Sequence, residues 1–386
     1  MGPDGEGILR KSPNPARVLH LLGSLGAGGA EALVMNAFRH IDRTRVLFDV
    51  ALYATPGFYD DEFRALGGRI FQLPEPDARK LPRYTRELRR ILHQNGPFAA
   101  VHSHLYSFNG WSLMLAHLAG VPIRIAHSHS TSDGKPATLF RKSYHRLMQW
   151  AIQGNATHIV GCSRSACTAM LGRTDARVEV FPNAIDPADF PSEDQATRNC
   201  FRSKLGLSAE DLALVHVGRF NPPKNHESLI DIFAKLIGII PRARLLLVGD
   251  GPLRTRIEER CRTMGLGKRV TFLGLRNDVP EVLSACDIFI FPSLREGLGN
   301  AAVEAQMAGL PCVVSEAVPG EADLGLGLLL RLSLAESAET WAEAVVAAGQ
   351  VKRPSREERE RKLLESGFDM RQSIQNWKSL YLAQRL

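Results

Sequence analysis

Two glutamates, Glu296 and Glu304, stand on either side of a glycine-bearing loop with seven residues between them. A carboxylate accepts hydrogen bonds from two donors at once, so such a pair suits the vicinal hydroxyls of a ribose or a sugar ring. A second interpretation needs no ligand: Glu304 complements a helix dipole, and Glu296 is a solvated loop charge. The two residues alone leave both interpretations open.

The residues around this pair predict a binding site for a phosphate group. An apolar strand over Ile288–Phe291 leads into the loop, and a helix of small residues begins near Gly299 or Asn300. A helix that starts after such a loop turns free backbone N–H groups and the positive end of its dipole toward an anion. Ala301 and Ala302 leave room for a ligand to approach the first turn.

A second loop in the C-terminal half carries two cations that suit a diphosphate. Arg219 and Lys224 follow an apolar strand over Ala213–Val217. Arginine offers bidentate hydrogen bonds and lysine a mobile point charge, although two exposed loop cations are the alternative. The chain has no Asp-x-Asp pair, and Asp250 has no second carboxylate close to it in the sequence. We therefore expect Arg219, Lys224 and a helix N-terminus, rather than Mg²⁺, to neutralise the diphosphate.

Four histidines follow two predicted strands in the N-terminal half. His102 and His104 end the first strand, and His127 and His129 end the second. Doubly wound sheets bind ligands at the carboxyl ends of their strands. Each pair is spaced i, i+2, and no carboxylate or cysteine completes a metal-ligand set. Hydrogen bonds to a sugar are therefore favoured over metal binding, which stays the alternative.

The glutamate pair is followed by the run Ala-Gly-Leu-Pro-Cys-Val-Val-Ser at residues 308–315. Together they resemble the paired-glutamate signature of glycosyltransferase family 4. The resemblance extends from about Arg17 to the C-terminus, and it is closest to the members that act in capsular and exopolysaccharide biosynthesis. It implies an α/β protein of GT-B fold, with two doubly wound Rossmann-like domains that face each other across a cleft. It also implies a retaining enzyme that uses a nucleotide sugar.

The resemblance implies a role for each of these polar residues. Arg219 and Lys224 grip the pyrophosphate of the donor, Glu304 holds the ribose, and Glu296 binds hydroxyls of the donor sugar. His129 contacts the transferred sugar, with His127 as the alternative because the alignment can slip by two residues. The family's catalytic positions thus correspond to His129, Glu296, Arg219 and Lys224.

The remaining positions that the resemblance assigns are mainly backbone contacts. Two glycines of the first Gly-rich loop lie against the donor phosphate, and a stretch of the second half contacts the nucleotide base. The expected donor-binding positions besides the polar residues are Gly28, Gly29, Gly274, Leu275, Gly299 and Asn300. His104 and His127 are expected to line the acceptor side of the cleft, and no metal site is expected.

The implied function is transfer of a hexose-type sugar, with retention, to a hydroxyl acceptor. The co-substrate is a nucleotide diphosphate sugar, with a UDP-sugar as the expected donor, and no cofactor is required. The acceptor is expected to be a lipid-linked or growing saccharide. Two alternatives stay open: a GT-B-type nucleotide-sugar epimerase, which should lack the glutamate pair together with the Arg219/Lys224 loop, and a non-catalytic nucleotide-sugar-binding protein.

Strands and helices alternate through two halves of this 386-residue chain, and this pattern predicts two doubly wound domains. We expect a disordered leader over residues 1–15, an acceptor-binding domain over 16–185 and a nucleotide-sugar-binding domain over 186–368. The prolines at 182 and 187 mark the crossover between them. The last helix, over 369–386, is expected to return to the first domain through the apolar face of Trp377, Leu380 and Tyr381.

The net charge of +7 falls mainly in the first half of the chain. Basic helices are predicted over Leu81–Gln94 and Ala137–Ile152, and they suit an anionic membrane surface or a lipid-linked diphosphate, with a solvated surface as the alternative. No nucleic-acid partner is expected. Apolar runs are too short to span a bilayer, and the six cysteines lack metal-ligand spacing. These features predict a cytoplasmic protein, with peripheral contact at the inner face of the membrane left open.

Overall fold

The computed structural model of this chain describes residues 14–26, 28–132 and 138–382. The predicted disordered leader therefore lies almost wholly outside the described residues. The same is true of residues 133–137, at the predicted start of the second basic helix, and of residues 383–386 at the end of the last helix.

The N-terminal half forms a parallel sheet with helices on both faces. Its strands are apolar along most of their length, as expected of a sheet that is buried on both faces. The strands are β1 (Ala16–Leu22), β2 (Val46–Leu52), β3 (Arg69–Gln72), β4 (Ala100–Ser103), β5 (Ile123–Ser128), β6 (His158–Gly161) and β7 (Val178–Val180). They lie in the order β3-β2-β1-β4-β5-β6-β7. The helices are α1 (Gly29–His40), α2 (Asp60–Ala65), α3 (Leu81–Gln94), α4 (Asn109–Leu118), α5 (Leu139–Asn155) and α6 (Arg164–Leu171).

The C-terminal half repeats this plan with a second parallel sheet. Its strands are β8 (Leu212–Val217), β9 (Ala243–Val248), β10 (Val270–Gly274), β11 (Ile288–Phe291), β12 (Cys312–Ser315) and β13 (Leu329–Leu332). They lie in the order β10-β9-β8-β11-β12-β13. The helices are α7 (Gln195–Lys204), α8 (His226–Ile239), α9 (Arg254–Thr263), α10 (Val279–Ala285), α11 (Asn300–Met307), α12 (Ala338–Ala348) and α13 (Arg356–Glu365).

The last helix, α14 (Met370–Leu382), returns to the first sheet. Its side chains Trp377, Leu380 and Tyr381 are buried in one apolar cluster with Val18 and Phe48 of the first sheet. The predicted architecture, with two doubly wound α/β units and a C-terminal helix that crosses back, is therefore confirmed. Among the described residues, no helix is both long and apolar enough to cross a bilayer.

The two connections between the halves run side by side. Ile185 and Asp369 form an isolated parallel bridge. The Ile185 N–H donates to the Phe368 carbonyl over 2.8 Å, and the Met370 N–H donates to the Ile185 carbonyl over 3.1 Å. The domain boundaries predicted at residues 185 and 368 fall on these two connections.

Candidate active site

In each sheet the strand order reverses at one point, and the predicted site residues follow the strands that flank this point. The strand order reverses between β1 and β4 in the first sheet and between β8 and β11 in the second. Doubly wound sheets bind ligands at such switch points, outside the carboxyl ends of the strands. The loops after β8 and β11 carry Arg219, Lys224 and Glu296, whereas β4 and β5 lead to His104 and His129.

Two helix N-termini, one from each half, lie side by side. Helix α1 begins at Gly29 and helix α11 at Asn300, and a Cβ added at Gly29 would lie 3.0 Å from Asn300 Nδ2. Gly299, with a φ of 93°, allows the chain to turn into α11 in a conformation that other residues rarely adopt. Backbone N–H groups and the positive dipole end make a helix N-terminus a favourable place for an anion.

The cations of the loop after β8 have different partners. Lys224 Nζ donates a hydrogen bond to Glu296 Oε1 over 2.6 Å, and it lies 4.5 Å from the centroid of the Phe291 ring. The Lys224 and Glu296 side chains are only 21% and 9% exposed. Burial raises the carboxyl pKa of Glu31 in helix α1, and the charge of Arg219, which is exposed, opposes this rise. The sequence indicated separate roles for Lys224 and Glu296 but not this ion pair.

Two carboxyl groups near the helix N-termini have raised pKa values. Burial, with a smaller effect of Asp189, raises the pKa of Glu304 to about 7. Burial also raises the pKa of Glu31, against the opposing effects of a backbone hydrogen bond and of Arg219. The Glu31 side chain folds over Gly28, where an added Cβ would lie 2.3 Å from its Oε2. Perturbed carboxyl groups of this kind are typical of functional sites.

The histidines form two hydrogen-bonded chains. In the first, His20 Nδ1 lies 3.1 Å from His104 Nε2, and His104 Nδ1 lies 2.7 Å from His129 Nε2. In the second, the Tyr381 hydroxyl lies 2.8 Å from His102 Nδ1, and His102 Nε2 lies 3.0 Å from His127 Nδ1.

Burial keeps these imidazoles neutral. It lowers the pKa of His20 and of His129 to about 3. It also lowers the pKa values of His102, His104 and His127 well below the usual range.

Metal binding by this cluster remains the less favoured interpretation. Nitrogens of His104, His127 and His129 lie within 4.8 Å of one another, as do those of His20, His102 and His104. However, the rings of His127 and His129 stack with centroids 4.0 Å apart and planes 27° apart. Lone pairs lie in the ring planes, so two stacked rings whose planes are separated in this way are poorly placed to direct their lone pairs at one ion. This geometry suits hydrogen-bonded chains better than a coordination shell.

The loop that carries Glu296 packs directly on the loop that carries His129. A Cβ added at Gly297 would lie 2.1 Å from the His129 carbonyl oxygen. Ser163 Oγ donates to the Gly297 carbonyl over 2.7 Å, and Arg295 Nη1 donates to Ser132 Oγ over 3.3 Å. The structure therefore brings together the loops that carry Glu296 and His129, which were predicted from opposite halves of the chain.

The predicted base-contacting residues lie farther along the same edge of the second sheet. The Gly249 N–H donates to the Gly274 carbonyl over 2.8 Å, and the Gly218 N–H donates to the Val248 carbonyl over 2.9 Å. Leu275 follows Gly274 and is exposed. Strands β9 and β8 separate these two residues from β11 and its glutamate loop.

Several residues of the site were not predicted as site residues. Asn183 Nδ2 donates to the Gly29 carbonyl over 2.8 Å, although its segment indicated only a domain crossover. Ser163 caps helix α6 and also reaches the Gly297 carbonyl. His20 lies within a buried strand and Tyr381 on a distant helix, so only their polarity in apolar surroundings could have marked them.

Family profiles match both halves of the chain. The family described as Glycosyltransferase Family 4 matches residues 27–189, and the family described as Glycosyl transferases group 1 matches residues 197–324. A protein of Bacillus subtilis (strain 168) named as glycosyltransferase EpsF is 38% identical over 362 residues, which are 93% of this chain and 94% of that protein.

A second relative matches a shorter region. The Escherichia coli UDP-Gal:alpha-D-GlcNAc-diphosphoundecaprenol alpha-1,3-galactosyltransferase is 32% identical over 227 residues. These residues make up 56% of this chain and 57% of that protein.

Solved structures share the fold. Anabaena Alr3699/HepE in complex with UDP-glucose superposes with a TM-score of 0.77 at 20% identity, covering 96% of this chain and all of that chain. WaaG, a glycosyltransferase involved in lipopolysaccharide biosynthesis, superposes with a TM-score of 0.71 at 17% identity, covering 94% of this chain and 99% of that one. The likeness to EpsF over nearly the whole chain, the two family profiles and this fold lead to one conclusion. The chain belongs to the family 4, group 1 glycosyltransferases and is a glycosyltransferase of GT-B fold.

Proposed function

We propose that this glycosyltransferase moves a hexose from a UDP-sugar to a hydroxyl of a lipid-linked or growing saccharide during polysaccharide synthesis, and that it retains the anomeric configuration. The observation that carries the proposal is the side-by-side placement of two helix N-termini, at Gly29 and Asn300. The name of the E. coli relative gives a UDP-sugar donor and a diphosphoundecaprenol-linked acceptor. The structural neighbour HepE was solved with UDP-glucose.

The ion pair between Lys224 and Glu296 supports a model of donor binding. Both groups are largely buried, so each loses solvation that a ligand can replace. A diphosphate at the two helix N-termini would draw Lys224 to itself, and Glu296 would then be free to accept hydrogen bonds from sugar hydroxyls. Arg219 would supply the second cation. Negative charge grows on the departing diphosphate in the transition state, where these fixed positive groups stabilise it without a metal ion.

The carboxyl groups of the site support retention without a covalent intermediate. With the donor bound, Glu296 would accept hydrogen bonds from sugar hydroxyls and Glu304 from the ribose, so neither carboxyl group would be placed to attack the anomeric carbon. We place the acceptor hydroxyl on the same face of the sugar as the departing diphosphate, whose oxygen takes the hydroxyl proton. His129 would contact the primary hydroxyl of the sugar, and Glu304 the ribose.

Transfer by the purified protein tests this proposal. A panel of nucleotide sugars is first screened for thermal stabilisation, and transfer is then measured with the best donor in the presence of EDTA. We expect Lys224→Met to lower kcat/KM about 100-fold or more because it removes a charge that stabilises the leaving group. Lys235→Met is the matched control, because Lys235 forms a similar ion pair with Glu339 on the surface of helix α8.

Three outcomes would contradict the proposal. They are an unchanged rate in Lys224→Met, loss of transfer on chelation, and a product whose anomeric configuration is inverted by NMR. Product analysis also separates transfer from the epimerase and from a non-catalytic binding protein, the two alternatives that the sequence left open. Membership of the family favours transfer over both.

We also propose that helix α5 docks the protein on an anionic membrane, where a lipid-linked acceptor would lie. Leu139, Phe140, Leu147 and Trp150 of this helix are 83%, 78%, 57% and 72% exposed. They fall within about a third of the helix circumference, opposite the buried face that contains Met148. Exposed apolar side chains grouped in this way are typical of interaction surfaces.

The basic residues of this domain indicate which kind of partner contacts the apolar stripe. Lys142 and Arg146 are exposed on one flank of the stripe, and helix α3 of the same domain exposes Arg83, Arg86, Arg89 and Arg90. Apolar side chains that enter the acyl boundary beside cations that meet anionic headgroups define an interfacial helix. This charge complementarity favours an anionic bilayer over an apolar protein partner.

Sedimentation with vesicles tests the docking surface. We expect Leu147→Ser/Trp150→Ser to weaken binding to phosphatidylglycerol-containing vesicles about tenfold or more, because two apolar side chains no longer leave water. The matched control is Ile239→Ser/Leu364→Ser, which removes two exposed apolar side chains from the second domain. Equal loss in both variants, or equal binding to neutral phosphatidylcholine vesicles, would contradict the proposed surface.

A further inference from the structure

A cavity of about 120 Å³ opens in the C-terminal half, away from the candidate active site. Its lining includes Glu193, Arg198, Ser284, Gly309, Arg353 and Arg359. Gly309 precedes strand β12, whereas Glu296 follows strand β11. Because these two strands are parallel neighbours, the cavity and the glutamate loop lie at opposite ends of the sheet. The proposed function makes no use of this cavity.

The lining of the cavity carries more positive than negative charge. Its charged side chains are one carboxylate and three arginines, namely Glu193, Arg198, Arg353 and Arg359. Arg359 donates to Glu193 Oε1 and to the Met307 carbonyl, so the charges of Arg359 and Glu193 offset each other. Helix ends add little net charge, because the N-termini of α7 and α13 and the C-termini of α10 and α11 all adjoin the cavity. Other groups must therefore balance Arg198 and Arg353.

Arg198 and Arg353 meet at one backbone carbonyl. The Cys286 carbonyl accepts from Arg198 Nη2 over 3.3 Å and from Arg353 Nη2 over 2.8 Å. The neighbouring carboxylate, Asp287, has its Oδ1 2.6 Å from Arg198 Nη2 and 3.8 Å from Arg353 Nη2. Its Oδ2 also accepts from Arg202 Nη1 over 3.1 Å. One carboxylate thus faces three guanidinium groups, and two positive charges are left over among these residues.

Both guanidinium groups at the cavity have donors to spare. Arg198 Nε is covered from solvent and has no hydrogen-bond partner within the described residues. In the same part of the chain, the hydrogen bond of Arg353 comes from its Nη2. Arginine N–H groups form a planar fork that matches the oxygens of a phosphate. A phosphate monoester carries about 1.5–2 negative charges at pH 7, which matches the charge left over.

We propose that this cavity binds a phosphate group, as the free ion or as a monoester, through Arg198 and Arg353. The phosphate oxygens would accept from the unused N–H groups of both side chains and would relieve the repulsion between them. A carboxylate ligand supplies one negative charge and should bind more weakly. The proposal does not depend on the proposed function, because the site lies at the other end of the sheet from the glutamate loop.

Equilibrium dialysis of the full chain with ³²P-labelled inorganic phosphate tests the proposal. We expect Arg353→Gln to weaken phosphate binding about tenfold or more, because it removes a charge-assisted hydrogen bond. Arg260→Gln is the matched control, because the Arg260 side chain is 38% exposed against 37% for Arg353 and pairs with Asp231. Lys224→Met, which alters the proposed donor site, should leave this binding unchanged.

Ser192→Glu tests the site in a chain that keeps all of its arginines. Ser192 is exposed at the rim of the cavity, and a carboxylate there would offset one of the two positive charges. We therefore expect this variant to weaken phosphate binding as well. Competition with glucose 1-phosphate distinguishes the two sources of the ligand: displacement of labelled phosphate indicates a monoester, and its failure indicates the free ion.

Three outcomes would overturn the proposal. The first is that the wild-type chain binds no phosphate. The second is that binding survives in both Arg353→Gln and Ser192→Glu or falls equally in Arg260→Gln. The third is that binding is lost in Lys224→Met instead, which would place the anion in the proposed donor site.

Discussion

Glu304 gives the proposed donor site a dependence on pH near neutrality. Burial raises the pKa of its carboxyl from 4.5 to about 7, so the group is protonated below pH 7 and ionised above it. An ionised carboxylate accepts from both hydroxyls of a ribose, whereas the protonated acid accepts less well. We therefore expect donor affinity to rise as the pH increases through 7, with release of a proton on binding. Calorimetry in buffers of different ionisation enthalpy measures that proton, and Glu304→Gln should abolish its release.

Because its pKa is raised, the ionised form of Glu304 lowers the stability of the folded protein at high pH. A carboxyl whose pKa is higher in the folded than in the unfolded chain binds more protons when folded between pH 4.5 and about 7, so stability falls as the pH rises through this window. We expect Glu304→Gln to increase the free energy of unfolding by about 2 kcal/mol at pH 8 and to change it little at pH 4. Denaturant unfolding at the two pH values measures the difference. An equal gain at both would contradict the raised pKa.

Residue types and spacing predicted which side chains would matter, but not how they pair. The glutamates, the two cations and the strand-end histidines were predicted from local sequence, and the structure places Glu296 and His129 in adjacent loops. The ion pair of Lys224 and Glu296 joins residues 72 positions apart. The contact of Asn183 with Gly29 spans 154 positions. Such contacts depend on the relative placement of strands, which no local pattern contains.

At the scale of elements, the loop after β11 must approach the loop after β5 closely, and Gly297 makes this possible. We expect Gly297→Ala to lower kcat/KM about tenfold or more, because its Cβ would meet the His129 carbonyl oxygen at 2.1 Å and displace the Glu296 loop. Steady-state kinetics with the preferred donor measures the loss.

Gly238→Ala is the matched control for this substitution. Gly238 lies in helix α8 with open space around the position of a Cβ. Alanine there should stabilise the protein by about 0.5–1 kcal/mol and leave the rate unchanged. If Gly297→Ala were as active as this control, the close packing of the two loops would have no role in transfer.

Periodicity predicted most helices and strands, and the elements that it did not predict have physical reasons. Strand β11 and helix α3 have the predicted bounds. Helix α4 was not predicted because it is buried on most of its sides and its apolar residues do not form one stripe. Its Gly110 packs against the Met148 carbonyl. Helix α7 was not predicted because it is polar almost throughout, with Arg202 as its buried residue. Both helices lack a clear apolar stripe along one side, which is the pattern that predicts an amphipathic helix.

At the scale of the whole molecule, the alternation of strands and helices predicted two doubly wound units, because parallel strands need crossover helices. The return of the last helix was predicted from three apolar side chains together with the family resemblance, and Trp377 is fully buried where it packs. The hydrogen bond that this helix makes to the histidine cluster was not predicted. It links Tyr381 and His102 across 279 positions of the chain.

The paired connections at Ile185 and Asp369 determine how the enzyme can open. Two covalent connections that pass through one small patch can act as a hinge. Either unit can tilt about this hinge while the connections themselves stay in place. Two adjacent links also resist twisting, because a twist would have to separate them. We therefore expect opening to be a tilt about this patch, in which the loops farthest from the patch travel the longest distance for a given angle.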